Sequence, residues 1–292
     1  MAVYEHEYKP YSGAMTPNWS RLLVIPRHMF GAIFQSKLFV SFFAVCYACP
    51  LVMAVLIYLH HNLNALKILN LEVSNLIAID SSFFLVYCYI QSRMAFLMAV
   101  IVGPILISRD LTNNALPLYL SRPFSRTQYV LGKASVLGIL LSAITWVPGL
   151  LLFVLQSCLE GWGWMVHNLW MAGSIVLASL VWIVILTLLA MALSAWIKRR
   201  IAASALLFGI FVMPSALVLV IDQLFRTGWG AIVSISYVLG DVIYGLFGVE
   251  RPWIAGLGSL PPLVVEWLVL IVTAALCLFV LSIKIQAYEV SR

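Results

Sequence analysis

The residues whose types and spacing could support chemistry are concentrated in one polar and basic stretch, residues 103–133. It carries Asp110, Arg122 and Arg126 between two long hydrophobic segments. A short helix that ends at Arg122-Pro123 would be compact and stiff, because the residue before a proline is disfavoured in the helical region. The stretch therefore predicts a short helix that begins near Asp110 and that a soluble partner can grip.

A second interpretation of this stretch stays open. In a solvated loop, the arginines would only follow the charge bias of membrane loops or contact lipid phosphates. Leu116, Tyr119 and Phe124 favour the docking element instead, since a solvated loop has no need for so many apolar side chains.

Signatures of catalysis are missing from the sequence. It contains no Gly-x-x-x-x-Gly-Lys-Ser/Thr phosphate loop, so we do not expect this chain to hydrolyse nucleotide. It also has no Gly-x-Ser-x-Gly nucleophile motif. His60 and His61 are adjacent, which places them about 100° apart on a helix, and no acidic residue follows at ligand spacing. We therefore expect no catalytic, cofactor or metal site in this chain.

Composition defines the class of protein. Hydrophobic residues make up 63% of the 292 residues and charged residues 10%, with a mean hydropathy of +1.04. These values exclude a water-soluble domain and predict an all-α integral membrane protein. Six apolar runs approach or exceed the roughly 20 residues that a membrane-spanning helix needs. They are residues 38–59, 93–108, 129–156, 168–196, 201–222 and 263–285.

The second run is the least regular, because Gln91, Ser92 and Arg93 interrupt the apolar sequence before it. This leaves either a short span or a span with Arg93 inside it. We favour a short span with Arg93 at the outer interface, where a long basic side chain can reach the headgroups.

Charge distribution predicts the orientation. With six spans, both termini lie on one side, and that side carries 13 of the 17 Lys and Arg residues but 4 of the 11 Asp and Glu residues. The positive-inside rule makes this side cytoplasmic, which predicts a multi-pass protein of the plasma membrane or bacterial inner membrane. Topology and anionic lipid are enough to explain the net charge of +6, so nucleic acid is not an expected partner.

The predicted domains follow from these spans. Residues 1–37 form a cytoplasmic N-terminus with an amphipathic interfacial helix, 38–285 the transmembrane domain and 286–292 a cytoplasmic tail. The helix has Trp19, Leu22 and Phe30 on one face and mostly polar residues such as Arg27 opposite, which is typical of a helix lying in the membrane interface. A soluble helix that faces a protein core is the alternative. The cytoplasmic loop between spans 2 and 3 covers residues 108–128.

An outer region, residues 223–262, is rich in glycine and contains an apolar part, residues 231–247, interrupted by Asp241. This part is too short to span comfortably and predicts a re-entrant or interfacial hairpin, which membrane proteins accommodate where protein covers the backbone. The alternative is a short seventh span, which would place the termini on opposite sides.

Two further features stay open. Gly103, Pro104, Pro148 and Pro214 are sites where helices kink, and they serve either as hinges or in packing. Cys88 and Cys158 could both face outward and form a disulfide, whereas the sequence places the cysteines 46, 49 and 277 inside spans.

The order of these elements resembles the membrane subunit of type-2 ABC transporters, and the stretch between spans 2 and 3 carries the most specific similarity. The matching residues are Gly103-Pro104, Ile107-Ser108-Arg109-Asp110, Ala115-Leu116, Tyr119-Leu120-Ser121-Arg122-Pro123, Ser125-Arg126 and Gly132-Lys133. In the family, an acidic residue leaves the second span, a short coupling helix follows, and a Ser-Arg-Pro turn leads to a Gly-Lys pair opening the third span.

The resemblance implies a dimer of identical or related permeases, each bound by a cytoplasmic ATPase that holds ATP and magnesium. It also implies that the ATPase pushes on a coupling helix. The residues expected to receive this force are Asp110, Leu116, Tyr119, Arg122, Pro123 and Arg126.

The substrate class follows from the scarcity of polar groups in the spans, which suits a hydrophobic or amphipathic cargo. The aromatic residues Tyr129, Trp146, Phe153 and Trp182 could line its path, or they could face lipid or belong to the aromatic belt at the membrane interface. A variant of this function is transmission of force to a partner at the outer face. A multi-pass scaffold without transport activity is the alternative from another class.

Overall fold

The structure of this chain is a computed structural model that describes residues 18–62, 78–112, 126–197, 199–251 and 260–287. Within these ranges all regular structure is helical. A 3₁₀ helix, Trp229–Val233, lies between the ninth and tenth α-helices. In chain order the α-helices are α1 (Asn18–Phe34), α2 (Lys37–Val45), α3 (Ala48–His61), α4 (Ser81–Thr112), α5 (Arg126–Ile144), α6 (Trp146–Glu160), α7 (Trp162–His167), α8 (Leu169–Trp196), α9 (Arg200–Phe225), α10 (Ile235–Leu246) and α11 (Leu263–Ala287).

Six segments of the described residues are long and apolar enough to cross a membrane, which confirms the predicted all-helical class and number of spans. We number them spans 1 to 6. They are Lys37–His61, Ser81–Pro104, Thr127–Glu160, Leu169–Trp196, Arg200–Phe225 and Leu263–Lys284. Helix α10 has only 12 residues, about 18 Å of helix, so the alternative of a seventh span there is not supported.

Span 4 forms the centre of the domain. In its most apolar stretch 67% of the residues are buried inside the chain, against 17% in spans 5 and 6. Helix α8, which forms this span, packs against α4, α5, α6, α9, α10 and α11. Membrane helices gain little from the hydrophobic effect on association, so small side chains that permit close packing matter more. Gly103 of span 2 lies so close to Ala190 of span 4 that an added Cβ would be 2.6 Å from the Ala190 Cβ.

Span 3 is broken in its middle, where α5 ends at Ile144 and α6 begins at Trp146. Pro148 contributes to this break because it has no N–H group for the Ile144 carbonyl. Two tyrosines from other spans donate hydrogen bonds to backbone carbonyls at the break. The Tyr47 hydroxyl lies 2.8 Å from the Ala143 oxygen, and the Tyr87 hydroxyl lies 2.6 Å from the Thr145 oxygen. These bonds brace the break against spans 1 and 2.

The predicted start of span 2 is wrong. Helix α4 begins at Ser81, where Asp80 accepts hydrogen bonds from the first turn, and Arg93 lies inside span 2, about 18 Å along the helix from Ser81. The polar residues that interrupt its apolar sequence have partners within the chain. The Gln91 amide donates to the Cys46 carbonyl at 2.9 Å, and Arg93 bonds to side chains described below.

Two smaller expectations also need correction. Helix α4 continues to Thr112, so Asp110 lies in the last turn of this long helix and does not start a separate one. The Ser108 hydroxyl donates to the Pro104 carbonyl, and the proline leaves the helix unbroken. Cys88 is buried inside span 2, whereas Cys158 is exposed, and both are free thiols, so the two do not form the disulfide considered above.

Candidate functional site

The end of α4 and the start of α5, which continue spans 2 and 3, flank the predicted coupling region. Helix α4 carries Asp110 in its last turn, and α5 begins at Arg126, so these two residues lie at the ends of two long helices. The structure does not describe the side chains of Asp110 and Arg126. The other predicted coupling residues lie outside the described residues altogether. These are Leu116, Tyr119, Arg122 and Pro123.

Helix α1 packs along α5, next to this region. Pro26 and Ile33 on its apolar face are buried, whereas Arg27 is exposed. The contact includes Lys133 of α5, which is 2% exposed and has its Nζ 3.2 Å from the Met29 sulfur. A movement of α5 would therefore be transmitted to α1. The burial of Lys133 was not foreseen from the sequence, because its Gly-Lys motif indicates only a helix start.

The predicted kink sites have different surroundings. Gly103 and Pro104 are buried in the unbroken part of α4, where Gly103 contacts span 4. Pro148 follows the break in span 3. Pro214 lies inside the continuous helix α9, and the next residue, Ser215, donates to the Phe211 carbonyl at 2.5 Å. Only the site at Pro148 coincides with an interruption of a described helix.

The segment between spans 5 and 6 folds back along span 5. Gly230 donates its backbone N–H to the Asp222 carboxylate at 2.7 Å, near the end of α9. The hydroxyl of Ser234 lies 3.2 Å from that of Ser215, which is about 15 Å along α9 from Phe225. Helix α10 then ends at Leu246, whose carbonyl accepts a hydrogen bond from the Ser174 hydroxyl close to the start of span 4. Ser234 thus lies deep beside span 5.

Arg93 connects span 2 to this segment. Its guanidinium donates to the hydroxyl of Ser236 on α10 and, at 2.8 Å, to that of Tyr89. It also lies 4.8 Å from the ring centre of Tyr89 and 5.8 Å from that of Trp182 on span 4, within cation–π range. We call Arg93, Tyr89, Trp182 and Ser236 the Arg93 cluster. The sequence shows the arginine but not its partners, which come from other parts of the chain.

A second polar cluster joins the same segment to span 6. Arg251 forms an ion pair with Glu266 at 2.5 Å, lies 3.8 Å from Asp241 on α10, and donates to the Pro261 carbonyl at 3.0 Å. Glu266 is fully buried. Burial raises the pKa of the Asp241 carboxyl, and the nearby Arg251 charge opposes this effect. The ion pair between Arg251 and Glu266 anchors the end of this segment to the start of span 6.

One further polar contact links two spans at their ends. His61 at the end of span 1 bonds to Glu160 at the end of span 3, with 2.8 Å between Nε2 and the carboxylate.

Within the part of the chain that the structure describes, no group of three or more His, Cys, Asp and Glu side chains could hold a metal ion.

Three of the four aromatic residues considered for a substrate path are instead buried in packing. Tyr129 is 2% exposed, Phe153 packs against Phe84 and Trp164, and Trp182 packs against Phe211. Trp146 is partly exposed and lines a groove of about 510 Å³ between spans 1 and 3. In this conformation the first three therefore neither line an open path nor face lipid.

The helical architecture and the six apolar spans define a multi-pass membrane protein. Residues 30–229 match the model of the ABC-2 family transporter protein family. The match covers more than two thirds of the 292 residues, so the chain belongs to this family of transmembrane permeases. Comparison with curated proteins gives no match.

Proposed function

We propose that this chain is the membrane subunit of an ATP-driven transporter, paired with a second permease and bound by a cytoplasmic ATPase. The family match over residues 30–229 carries this proposal, and the six apolar spans agree with it. ATP and magnesium would be held by the partner, since the sequence has no phosphate loop. The charge asymmetry supports cytoplasmic termini in a plasma membrane or bacterial inner membrane.

In this proposal the ATPase grips the region between α4 and α5. The two helices enter it from spans 2 and 3, and both pack against the central helix α8. A push at this point would therefore reach the core of the domain. Asp110, Arg122 and Arg126 are our candidates for the contact, with Leu116, Tyr119 and Pro123 between them, and α1 would move together with α5.

We further propose that the segment between spans 5 and 6 is re-entrant from the outer side. The contact between Ser234 and Ser215 supports this, because it lies about 15 Å along α9, half of a hydrocarbon core of about 30 Å. The cargo would be hydrophobic or amphipathic, because the spans present few polar groups. In the force-transmission variant, this segment would act on an accessory protein at the outer face.

The first experiment is purification of the tagged chain from its native membrane in mild detergent, followed by native mass spectrometry. We expect two permease subunits together with two copies of a subunit that has a nucleotide-binding phosphate loop. Reproducible recovery of the chain alone in several detergents would contradict the proposal and favour the scaffold.

The coupling residues are tested in the reconstituted complex. Asp110→Asn and Arg122→Gln should each lower transporter-stimulated ATP hydrolysis about fivefold or more, because each removes a contact that couples the two subunits. A fivefold loss corresponds to a coupling free energy of about 1 kcal/mol. Arg226→Asn is the matched control. It removes a basic side chain from the opposite end of the domain, and asparagine tolerates the φ of 49° at this position. Unchanged stimulation in both coupling variants would contradict the assignment.

A further inference from the structure

The Arg93 cluster has more hydrogen-bond donors than acceptors. A guanidinium has five N–H groups, and those of Arg93 make one bond each to Ser236 and Tyr89. Three donors therefore have no acceptor among the described residues. The indole N–H of Trp182, whose side chain is 1% exposed, also has none in this part of the chain. Three guanidinium donors, and one indole donor in a ring whose centre lies 5.8 Å from the Arg93 Cζ, thus remain unused within the described residues.

No carboxylate of the described residues balances the charge of Arg93. Among the described residues, none comes within 4.0 Å of the Arg93 guanidinium. Asp241, the acidic residue of α10, lies 3.8 Å from Arg251. An arginine within a membrane span is costly unless it is paired, and such residues mark substrate or ion sites. The protein keeps a positive charge and spare donors at this point. An anion bound here would neutralise the charge and accept hydrogen bonds from these donors.

The surroundings determine the kind of anion. Tyr89, which bonds to the guanidinium, is 37% exposed, so the cluster reaches the surface of the domain at this residue, whereas Trp182 and Ser236 lie buried behind it. The adjoining surface of span 5 is apolar, with Phe208 and Val212 each 44% exposed. Phe208 stacks on Phe96, which follows Arg93 by one helical turn. A ligand at this position meets donors at one end and apolar side chains beside them.

We infer that the Arg93 cluster binds the anionic headgroup, a phosphate or carboxylate, of an amphiphile whose acyl chain lies against span 5. This inference rests on the proposed function and specifies its cargo class. Arginine suits this role because its planar fork can bind two oxygens of one headgroup. The site lies beside Ser236, at the start of α10, so a bound headgroup would contact the segment that folds back along span 5.

The test uses the purified full-length chain in detergent, without an ATPase. Binding of three probes is measured by native mass spectrometry: phosphatidylglycerol, diacylglycerol, which lacks the phosphate, and inorganic phosphate, which lacks the chains. We expect phosphatidylglycerol to bind at least about tenfold more tightly than either of the others, since a charge-assisted contact contributes about this factor. Equal binding of diacylglycerol would overturn the anion site, and equal binding of inorganic phosphate would overturn the amphiphile.

Arg93→Gln should weaken phosphatidylglycerol binding about tenfold, whereas the control Arg226→Asn, which removes a charge outside the cluster, should leave it unchanged. If Arg93→Gln does not fold, Arg93→Lys and Trp182→Phe replace it, since lysine keeps the positive charge and phenylalanine keeps an aromatic ring. We expect each to weaken binding by a few fold, through loss of the fork and of the indole N–H. Unchanged binding in these variants, or an equal loss in Arg226→Asn, would overturn the assignment.

The outcome is separable from that of the permease proposal. Binding through Arg93 by a chain that recruits no ATPase would contradict the transporter and leave the lipid site standing. A complex with an ATPase whose phosphatidylglycerol binding ignores Arg93 would contradict the site alone.

Discussion

Single residues set how closely the spans of this chain approach. Gly103 has no side chain, and Ala190 of span 4 occupies the space beside it. A methyl group added at Gly103 would lie 2.6 Å from the Ala190 Cβ. Leu137 of span 3 is also close to this point. Three spans thus meet at one glycine, directly before Pro104. This packing explains the glycine without requiring a hinge.

The close contact between Gly103 and Ala190 can be tested by substitution. Gly103→Ala should lower the stability of the detergent-purified chain by about 1–3 kcal/mol, because overpacking forces a shift of neighbouring helices. The measurement is the midpoint of thermal unfolding. Ala190→Gly in the same chain should recover part of the loss, which a double-mutant cycle will detect as coupling between the two sites.

Gly173→Ala is the matched control for this change. It lies in span 4, and nothing is within 4 Å of the added methyl group. Alanine also favours a helix over glycine by roughly 0.5–1 kcal/mol. We expect no loss of stability there. Equal effects of the two substitutions would mean that the contact between Gly103 and Ala190 does not limit packing.

At the scale of elements, α10 is the most informative helix. It has 12 residues, too few to cross the membrane, and it packs against α4, α8, α9 and α11. Polar contacts fix it at two levels: Ser236 bonds to Arg93, and Asp241 lies next to Arg251 and Glu266. The helix is held between four spans by these contacts, and its position depends on them.

The second prediction concerns this anchorage. Arg251→Gln would leave the buried Glu266 without its counter-ion, so we expect a loss of about 3 kcal/mol in the free energy of unfolding. The double variant Arg251→Gln/Glu266→Gln should recover much of it, because no uncompensated charge remains. Glu250→Gln, an exposed neighbour, is the control and should have little effect. A double variant as unstable as the single one would refute the role of the ion pair.

At the scale of the whole molecule, charge asymmetry predicts the orientation, and the cysteines provide a probe for it. Cys158 near the end of span 3 is exposed, whereas the cysteines 46, 88 and 277 are buried. In intact cells, a membrane-impermeant maleimide should label the chain through Cys158, and Cys158→Ser should remove most of the signal. Introduced into the Cys158→Ser chain, Arg199→Cys, at the opposite end between spans 4 and 5, should react only after permeabilisation. The reverse labelling pattern would mean that the chain has the opposite orientation in the membrane.

Local sequence was sufficient for the class and the number of spans. Every span except span 2 is a largely continuous apolar run, and its length against the bilayer thickness depends on no other part of the chain. The same holds for residues 231–247, which are too short to span. The motif in residues 103–133 indicated the family that the match over residues 30–229 then showed. The coupling residues within it stay a prediction.

Only the tertiary structure decided where the polar residues of span 2 lie and which glycine is in close contact. Arg93 is compatible with a span because Ser236, 143 residues away in the chain, accepts its hydrogen bond and Trp182 faces it. Likewise Arg251 and Glu266 form a pair only because α10 and α11 pack together. Hydropathy measures each residue against lipid, whereas the free energy of a buried polar group depends on the partners that folding brings to it.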